Sequence, residues 1–522
     1  MKKICFSSAL ALAVLSNVTH VSAQTVTLES FDSEISLTGE LLSFEDGIYN
    51  LRTSIGIVQL GSDVVSCNGD GCPGANKNFA VEAFNVSGSA SINEQLMPAL
   101  VSMFAESAGA SPTIKSVGQD TAAIEVASSG GSASQILVKS AGSTRALEEL
   151  GQRGADLAVT TRAVRQAEQT VFSDLGFGDI STNGSESIMA LDGLMIVTAP
   201  ENAVRAITEE NIARVFAGQV TNWADLGGRN GPIQVYVRSQ ESGTGSVFFE
   251  KMMAPTGRTF VNTAVVVQTD RELAEAVAND PSAIGFTSFS TVGDTRALGL
   301  RGVCGLQTPA NAFTIKTEEY PLTRRLYTYS DAKNENVAEF VDFIGSDAAQ
   351  AVVAEKGFVD LGVSSQPINA QGLRFAASIL PTDAEVTLAQ TQSMVRELIA
   401  AERLSLTFRF DNASSRLDTR ARSDIGRLVE MMSGSQLENK EVILVGYTDS
   451  VVPGANNQLL SQQRSAQVLS ALVAELPTDR AESARIKTIG YGEMSPLGCN
   501  ETDNGRRINR RVEVWVKDII DG

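Results

Sequence analysis

Apolar and polar residues alternate over the first part of the chain, after a short apolar leader. Segments such as Val26-Thr-Leu-Glu-Ser-Phe have the two-residue period of strands that bury one face. We therefore predict a small β module over residues 24–75. Between 80 and 361, β-rich runs such as Ile233-Gln-Val-Tyr-Val alternate with helical patterns such as Asn93 to Glu106. That alternation predicts an α/β domain, and its length suits two lobes.

The rest of the chain follows a different order. Residues 363–403 contain Pro367 and Pro381 and are expected to form a linker that ends in a helix over residues 384–402. Residues 404–522 then read strand, helix, strand, helix, strand, strand. This order predicts a separate α+β domain.

Residues 1–23 have the three parts of a secretory signal peptide. A basic start, Met1-Lys-Lys, precedes an apolar run to Leu15, and the small residues of Val21-Ser-Ala fit a cleavage site. The run is too short to span a bilayer, and no later segment has about 18 uninterrupted apolar residues. We therefore expect an exported protein whose mature chain begins at Gln24.

Composition places the chain among globular proteins and excludes several kinds of chemistry. Of 522 residues, 43% are hydrophobic and 20% are charged, which is ordinary for folded domains. The formal net charge of −19 argues against nucleic acid as a partner. The only histidine, His20, lies in the predicted signal peptide, so histidine-based triads and imidazole metal sites are excluded from the mature chain. No cofactor or metal ion is expected.

Four cysteines remain after the predicted signal peptide. Cys67 and Cys72 flank Asn-Gly-Asp-Gly, a turn-forming sequence, so in an exported protein we expect them to form a small-loop disulfide. Two thiols without a histidine provide too few ligands for a metal site. Cys304 and Cys499 lie in different predicted domains. The sequence leaves two alternatives open for them: a disulfide across a domain interface, or free thiols.

Three Ser/Gly-rich turns in the central domain offer hydrogen-bond donors to an oxyanion. The sharpest, Arg238-Ser-Gln-Glu-Ser-Gly-Thr244, follows a predicted strand and opens a helical pattern. Hydroxyls, a close backbone and the positive end of a helix favour an anion, and an arginine can donate two parallel hydrogen bonds to it. The turns Gly88-Ser-Ala-Ser-Ile92 and Gly142-Ser-Thr-Arg145 have the same chemistry. The alternative for the first turn is an ordinary capped helix with a surface arginine.

Six segments of the central domain match one known family. They are Gly88-Ser-Ala-Ser, Gly154-Ala-Asp-Leu-Ala-Val-Thr-Thr-Arg162, Ala190-Leu-Asp-Gly-Leu-Met-Ile-Val, Phe216-Ala-Gly-Gln-Val-Thr-Asn-Trp223, Arg238 to Thr244, and Ala283-Ile-Gly-Phe286. Residues 80–361 thereby resemble the PstS-type phosphate-binding proteins, which are periplasmic solute-binding proteins. The resemblance implies a type II periplasmic-binding-protein fold, in which two lobes enclose one dehydrated oxyanion.

The resemblance also implies which residues contact the anion. By match to the family motifs, the phosphate-binding residues are Ser91, Ile92, Ser143, Thr144, Arg238, Ser242, Gly243 and Thr244. One position departs from the family: Arg162 stands where some members carry an aspartate that accepts the proton of hydrogen phosphate. The choice between phosphate and sulfate therefore stays open.

The C-terminal domain places a carboxylate and an arginine at the ends of predicted elements. An apolar strand from Val442 to Tyr447 leads to Asp449, and Ser461 is expected to cap a helix whose first turns carry Arg464. The two charges would then meet at one rim of the domain. The alternative is an ordinary surface ion pair.

Five segments of this domain match a second family. They are Phe410-Asp411, Gly446-Tyr-Thr-Asp449, Asn457-x-x-Leu-Ser-x-x-Arg464, Gly490-Tyr-Gly-Glu-x-x-Pro496 and Asn509-Arg-Arg-Val-Glu513. They resemble the OmpA-type peptidoglycan-binding domain, although Tyr447 stands where a histidine is usual. The resemblance implies binding to the diaminopimelate of a stem peptide, with Asp449 on its ammonium and Arg464 on a carboxylate. Further positions match the family as supporting residues: Asp411, Asn457 and Arg510.

These features lead to three hypotheses for the function. The first is a periplasmic phosphate receptor that is tethered to peptidoglycan at the cell wall or outer membrane and serves an ABC permease or phosphate sensing. The second is a structural envelope protein whose cleft no longer binds phosphate. Arg162 favours the second, whereas the Arg238–Thr244 segment favours the first. The third, a phosphatase, is disfavoured because the mature chain lacks histidine and an evident metal cluster, so we expect no enzyme activity.

Overall fold

The computed structural model describes most of the chain. The described residues are 25–30, 36–45, 48–53, 56–61, 64–68, 81–118, 120–127, 133–182, 184–372, 386–410, 417–451 and 454–519. The predicted signal peptide, Cys72, the linker residues 373–385 and Asp411 lie outside them. The chain divides into two compact units, Met1–Phe79 with Ser107–Gly109, and Ala80–Glu106 with Ala110–Gly522.

The first unit contains a five-stranded antiparallel sheet. In spatial order its strands are Gly56–Gly61, Ile48–Thr53, Ser36–Glu45, Thr25–Ser30 and Val65–Asn68. Val26, Leu28 and Leu51 pack together in its small core, because residues two apart share a face of a strand. The predicted small β module is confirmed. Cys67 is disulfide-bonded, and its predicted partner Cys72 lies outside the described residues.

One mixed sheet runs through both lobes of the central domain. Its strands, in spatial order, are Val265–Val267, Gln234–Arg238, Ala283–Ser288, Glu186–Thr198, Thr323–Ser330, Leu157–Thr160, Asn85–Gly88, Ala133–Ser140, Thr121–Ala127 and Ser111–Ser116, with Arg296–Ala297 paired beside Glu186–Thr198. Glu186–Thr198 and Thr323–Ser330 pair with each other and also with strands on either side. We call these two the crossing strands. Leu157–Thr160 belongs to lobe one and Ala283–Ser288 to lobe two.

Helices accompany the sheet in both lobes. In lobe one they are Ala90–Asn93, Leu96–Ser107, Ser143–Gly151, Gln166–Asp174, Glu335–Ile344 and Asp347–Glu355. In lobe two they are Glu209–Phe216, Gly243–Phe248, Asp270–Ala278 and Ala312–Lys316, with a π-helical turn at Phe249–Met253, 3-10 turns at Trp223–Leu226, Ala254–Thr256 and Phe289–Thr291, and a small sheet of Ala206–Thr208, Gly299–Arg301 and Gln307–Thr308. Phe216, Phe248 and Phe286 are fully buried in the core of lobe two. The predicted two-lobed α/β fold is confirmed.

The C-terminal domain is a second, smaller sheet with its own helices. Its strands, in spatial order, are Ser365–Pro367, Glu402–Arg409, Arg511–Asp518, Lys440–Tyr447 and Ile486–Gly490. Its helices are Leu388–Leu398, Thr419–Ser433, Gly454–Glu475, Thr478–Ser483 and Asp503–Asn509, with a 3-10 turn at Ile368–Gln371. Leu428, Leu444 and Val468 are fully buried between helices and sheet. The predicted α+β class is confirmed.

The expected helix cap at Ser461 is wrong. The helix begins at Gly454, so Ser461 lies in its interior and is fully buried. Its hydroxyl donates to the carbonyl oxygen of Gln458 at 2.8 Å and accepts the N–H of Gly492 at 2.9 Å. Serine favours a cap, but its hydroxyl can also bond back to the preceding turn inside a helix, so the sequence pattern alone does not separate the two positions.

Two other details of the C-terminal domain differ from the expected order. Thr478–Ser483 and Asp503–Asn509 are helices that the sequence pattern missed, because segments this short show little periodicity. The predicted helix over 384–402 extends only over Leu388–Leu398 in the described residues, and Glu402 already begins a strand. That strand pairs with Arg511–Asp518, a long-range partner that overrides local helix preference.

A disulfide joins lobe two to the C-terminal domain. Cys304 and Cys499 are bonded, with their Cα atoms 5.6 Å apart. Gly302 lies against this bond, since a Cβ there would be 2.2 Å from Cys499 Sγ. The structure therefore selects the disulfide from the two alternatives that the sequence left open. Among the described residues, no helix is long and apolar enough to cross a membrane.

Candidate functional site

Three neighbouring strands of lobe one bring three hydroxyls together. Asn85–Gly88 pairs in parallel with the strand on each side of it, so the carboxyl ends of all three lie at one edge of the sheet. The turns after those ends carry Ser89, Ser143 and Thr161, all buried. The N–H of Thr161 donates to Ser143 Oγ at 3.2 Å, and the two hydroxyl oxygens lie 3.5 Å apart.

Gly243 of lobe two meets these hydroxyls. A Cβ on Gly243 would lie 2.2 Å from Thr161 Oγ1 and 3.1 Å from the Oγ atoms of Ser89 and Ser143. A side chain would therefore fill the space that the hydroxyls face, and only glycine leaves it open. We call Ser89, Ser143, Thr161 and Gly243 the hydroxyl cluster. Two of its members, Ser89 and Thr161, were not among the predicted site residues, although both stand in the Ser/Thr-rich turns that the sequence singled out.

Asp270 supports the arginine and the threonine beside the cluster. Arg238 Nε donates to Asp270 Oδ1 at 2.8 Å, and Thr244 Oγ1 donates to Asp270 Oδ2 at 2.8 Å. Arg238 Nη1 also donates to the carbonyl oxygen of Val267 at 2.8 Å. All three polar side chains are buried, and burial of charge requires such pairing. Sequence reasoning missed Asp270, because it lies on a separate helix and has no motif of its own.

A second buried arginine reaches the same threonine from a crossing strand. Arg324 Nη1 contacts Thr244 Oγ1 at 3.0 Å, and Arg324 Nε donates to Asp192 Oδ2 at 2.8 Å. Asp192 also accepts the hydroxyl of Ser288 at 2.8 Å. Arg324 and Asp192 are almost fully buried. Arg324 was not among the predicted site residues, but an arginine within a strand of a buried sheet is itself a signal, since such a charge needs a partner.

The polar groups of the other predicted phosphate-binding residues already have partners within their own turns. Ser91 Oγ lies 3.0 Å from Ser89 Oγ, so it adjoins the cluster. Ile92 is fully buried, and its N–H donates to the carbonyl oxygen of Ser89 at 3.0 Å. Ser242 caps the helix Gly243–Phe248, accepting the N–H of Gly245 and donating to the carbonyl oxygen of Ser239. Its hydroxyl is thereby committed to the turn.

Arg162 is directed into an ion pair within lobe one. Its guanidinium donates to both oxygens of Glu168, at 2.6 and 2.8 Å, and to Thr144 Oγ1 at 3.0 Å. Burial raises the pKa of Glu168, but hydrogen bonds from Arg162 and Arg165 outweigh it and hold the pKa below its usual value. Thr144 is exposed, and its hydroxyl serves Arg162.

In the C-terminal domain, Asp449 pairs with an arginine other than the expected one. Arg510 Nη1 lies 2.7 Å from Asp449 Oδ2, and both side chains are mostly buried. Asp449 Oδ1 also accepts the N–H of Val451 at 3.3 Å. The structure thus brings Asp449 together with Arg510, which the sequence treated as a supporting residue. Tyr447, at the position usual for histidine, is fully buried.

Arg464 is a buried cation with unused donors. It is 3% exposed, and its Nε and Nη1 have no hydrogen-bond partner among the described residues. Its guanidinium lies 5.4 Å from the ring centre of Phe410. Burial, followed by the charge of Arg510, lowers the pKa of Arg464 to about 10, while Asp449 acts in the opposite direction. A carboxylate that entered here would satisfy donors that the folded chain leaves open.

Asn457 lies on the same face of the same helix as Arg464. The two are seven residues apart, or two helical turns, in Gly454–Glu475. Asn457 Nδ2 donates to Glu493 at 3.3 Å. Asp411, the remaining predicted residue of this site, lies outside the described residues. Asn457, Arg464, Asp449 and Arg510 thus come from three segments of the sequence that the fold assembles.

The chain matches two known families in two separate stretches. Residues 75–355, more than half of the chain, match the PBP superfamily domain. The chain belongs to the PBP superfamily. Residues 409–510 match the OmpA family. Both resemblances inferred from the sequence motifs are confirmed, and the chain joins a PstS-like domain to an OmpA-like domain.

The two domains are similar to different sets of proteins. Phosphate-binding protein PstS of Borreliella burgdorferi is 28% identical over 195 residues, which cover 36% of this chain and 70% of the relative. PstS of Bacillus subtilis is 25% identical over 256 residues, covering 46% of this chain and 82% of the relative. Outer membrane porin F of Pseudomonas fluorescens is 38% identical over 115 residues, covering 22% of this chain and only 33% of the relative.

Solved structures similar to this chain include phosphate receptors. A putative phosphate ABC transporter substrate-binding protein with bound phosphate, from Clostridium perfringens, is 22% identical with a TM-score of 0.43, covering 54% of this chain and 100% of that one. An ABC-type phosphate transport receptor from Vibrio cholerae is 24% identical with a TM-score of 0.41, covering 53% of this chain and 99% of that one.

Proposed function

We propose that the central domain binds phosphate, or a similar oxyanion, and that the C-terminal domain tethers the protein to peptidoglycan. The observation that carries the first half is the hydroxyl cluster, where buried hydroxyls of lobe one face a glycine of lobe two. Hydroxyls and backbone N–H groups gathered in a buried space favour an anion. The names of the PstS relatives support phosphate.

The predicted phosphate-binding residues fall into two groups, according to whether their polar groups face the hydroxyl cluster or already have partners. Ser143, Gly243 and Thr244 lie in or beside the hydroxyl cluster, so we propose that they contact the anion directly. Ser91 adjoins the cluster through Ser89. Arg238 supplies positive charge, held by Asp270. For Ile92, Thr144 and Ser242 we propose a role in shaping the turns, since their polar groups already have partners.

Calorimetric titration of phosphate into the mature protein tests this half of the proposal. The protein is first unfolded and refolded to strip bound ligand, and sulfate serves as the control anion. We expect phosphate binding in the micromolar range or tighter, about −8 kcal/mol or better. Absence of binding by a correctly refolded protein would contradict the proposal and favour a structural envelope protein. The engagement of Arg162 with Glu168, at the position where some relatives use an acid, is the observation that supports that second candidate.

The tether rests on the open donors of Arg464 beside Asp449 and Arg510. Diaminopimelate carries both an ammonium and a carboxylate, so a site with a buried arginine and an aspartate matches its two charges. Co-sedimentation with isolated cell walls is the direct test. We expect the full-length protein to pellet with the walls and free diaminopimelate to compete. Recovery of all the protein in the supernatant would contradict the tether.

We further propose that the protein acts in the periplasm as a receptor and does not catalyse a reaction. A tethered receptor could deliver phosphate to an ABC permease at close range or report phosphate to the envelope. Turnover of a chromogenic phosphate ester would contradict the receptor role. Retention of the tagged protein by a detergent-solubilised permease, in the presence but not the absence of phosphate, would support delivery.

A further inference from the structure

The C-terminal domain contacts both crossing strands of the solute-binding domain. Thr419, at the start of the helix Thr419–Ser433, donates its hydroxyl to Glu186 Oε1 at 2.8 Å. Asp418, which caps that helix, pairs with Arg325 Nη1 at 2.7 Å. Glu186 and Arg325 stand on different crossing strands. Two adjacent residues at the start of one helix of the C-terminal domain therefore contact both crossing strands.

The same domain is also fixed firmly to lobe two. The Cys304–Cys499 disulfide is one attachment. Arg403, which is fully buried, forms ion pairs with Glu319 of lobe two and with Glu513 of its own domain. These buried charges are mutually dependent, since removal of one partner would leave the other uncompensated.

Glu318 connects the crossing strand to the C-terminal domain. Each of its two carboxylate oxygens accepts a hydrogen bond from Arg325, and Arg409 Nε lies 3.7 Å from Oε2. Its backbone adopts a left-handed conformation, with φ of 53°, which is uncommon for a residue other than glycine. The charges of Arg325 and Arg507 hold the pKa of Glu318 far below its usual value, against the effect of burial. It is ionised at any physiological pH.

Two adjacent arginines on one crossing strand make contacts on opposite sides of it, one beside the candidate anion site and the other with the C-terminal domain. Successive side chains of a strand point to opposite faces. Arg324 accordingly reaches Thr244 beside the hydroxyl cluster, whereas Arg325 reaches Glu318 and Asp418. The strand that the C-terminal domain holds is therefore the one that contacts the candidate anion site.

We propose that the C-terminal domain is a brace across the two lobes, which restrains opening of the cleft and slows release of the anion. Lobes of such domains move about the strands that join them. A rigid body attached to lobe two by a disulfide, and to the lobe-one end of a crossing strand through Thr419–Glu186, must lose a contact when that hinge bends. The effect on anion release rests on the proposed function, while the mechanical restraint does not.

The test compares the wild type with three full-length variants: Asp418→Asn alone, Asp418→Asn combined with Cys304→Ser/Cys499→Ser, and a control. Cys304→Ser/Cys499→Ser removes the covalent attachment, and Asp418→Asn weakens the hold on Arg325. Asp518→Asn is the matched control, because Asp518 pairs with Lys440 inside the C-terminal domain. Phosphate dissociation is measured by a stopped-flow chase. We expect release about fivefold faster or more when the first two changes are combined, a smaller increase with Asp418→Asn alone, and none with the control. Equal rates in all variants would overturn the brace.

Hydrogen exchange of the ligand-free protein provides a second readout. We expect amides of the crossing strands to exchange faster in the combined variant than in Asp518→Asn, with circular dichroism unchanged. If the wild type failed to bind phosphate, the proposed function would fall, but hydrogen exchange would still test whether the C-terminal domain restrains the crossing strands. Unchanged exchange in the combined variant would overturn it, whether or not phosphate binds.

Discussion

At the scale of single residues, Gly243 has to remain a glycine for the space beside the hydroxyl cluster to stay open. Its neighbours are three hydroxyl oxygens, and a methyl group at Cβ would fall within 2.2 Å of one of them. The hydroxyls in turn are fixed by backbone contacts such as Thr161 N–H to Ser143. A substitution of Gly243 is therefore expected to affect anion binding more than the stability of the fold.

We predict that Gly243→Ala weakens phosphate binding by at least about tenfold, or about 1.4 kcal/mol. The added methyl group occupies the space beside Thr161 and pushes the lobes apart. Gly231→Ala is the control in the same lobe, because a Cβ there meets no atom within 4 Å. Calorimetric titration of both variants decides the matter. Equal phosphate affinities of Gly243→Ala and Gly231→Ala would contradict the assignment of Gly243 to the anion site.

Arg464 offers a second test at this scale, because its charge is costly to the fold. Burial lowers its pKa to about 10, so the folded state disfavours the charged form relative to the unfolded chain. We predict that Arg464→Met reduces wall binding at least about tenfold and does not lower the thermal transition. Co-sedimentation with cell walls and a melting curve measure the two effects.

Arg485→Met is the matched control for the Arg464 variant, since Arg485 is exposed in the same domain. It should pellet with cell walls as the wild type does. Undiminished co-sedimentation of Arg464→Met would refute the assignment of this residue.

At the scale of elements, a π-helical turn of lobe two supports the start of a crossing strand. Lys251, in the turn Phe249–Met253, donates to the carbonyl oxygens of Thr323 at 2.7 Å and Pro321 at 3.4 Å. No carboxylate forms an ion pair with it among the described residues. Burial, and then the charge of Arg507, lowers the pKa of Lys251 to about 7.

This arrangement predicts that stability rises with pH. The folded-state pKa of Lys251 lies below its unfolded value of about 10.4, so the unfolded chain binds the extra proton between about pH 7 and 10, and the free energy of unfolding increases over that window. We expect Lys251→Met to remove part of this rise. Urea unfolding at pH 7 and pH 9 measures it, with Lys440→Met as the control. An identical pH dependence in wild type and Lys251→Met would contradict the prediction.

At the scale of the whole molecule, one covalent bond connects distant parts of the chain. Cys304 and Cys499 are 195 residues apart in sequence, so their bond restricts the unfolded chain strongly. It also keeps lobe two and the C-terminal domain together when other contacts loosen.

We predict that Cys304→Ser/Cys499→Ser lowers the free energy of unfolding by about 2–5 kcal/mol. Thermal unfolding of wild type and variant, with and without a thiol reductant, measures the loss. The reductant should lower the transition of the wild type toward that of the variant. Any further effect on the variant reports the disulfide of Cys67. A variant that melts with the wild type would show that noncovalent contacts suffice.

Local pattern determined much of this protein. Strand periodicity predicted the small β module, alternating elements predicted the α/β class of the central domain, and the Ser/Gly turns indicated segments that could offer donors to an anion. These inferences succeed because periodicity and turn chemistry depend on neighbouring residues. The sequence placed Arg464 on a helix, but only the structure extended that helix back to Gly454, so that Asn457 lies on the same face.

Only the tertiary structure decided the partners. Asp270 under Arg238, Arg324 against Thr244, Arg510 on Asp449 and the Cys304–Cys499 bond join residues that are from 32 to 195 positions apart. No local pattern encodes such pairs, because each depends on which charged or polar groups the packing of the domains leaves to be satisfied together. The position of Ser461, inside a helix and not at its start, was decided for the same reason, since its hydroxyl is held by a distant backbone N–H.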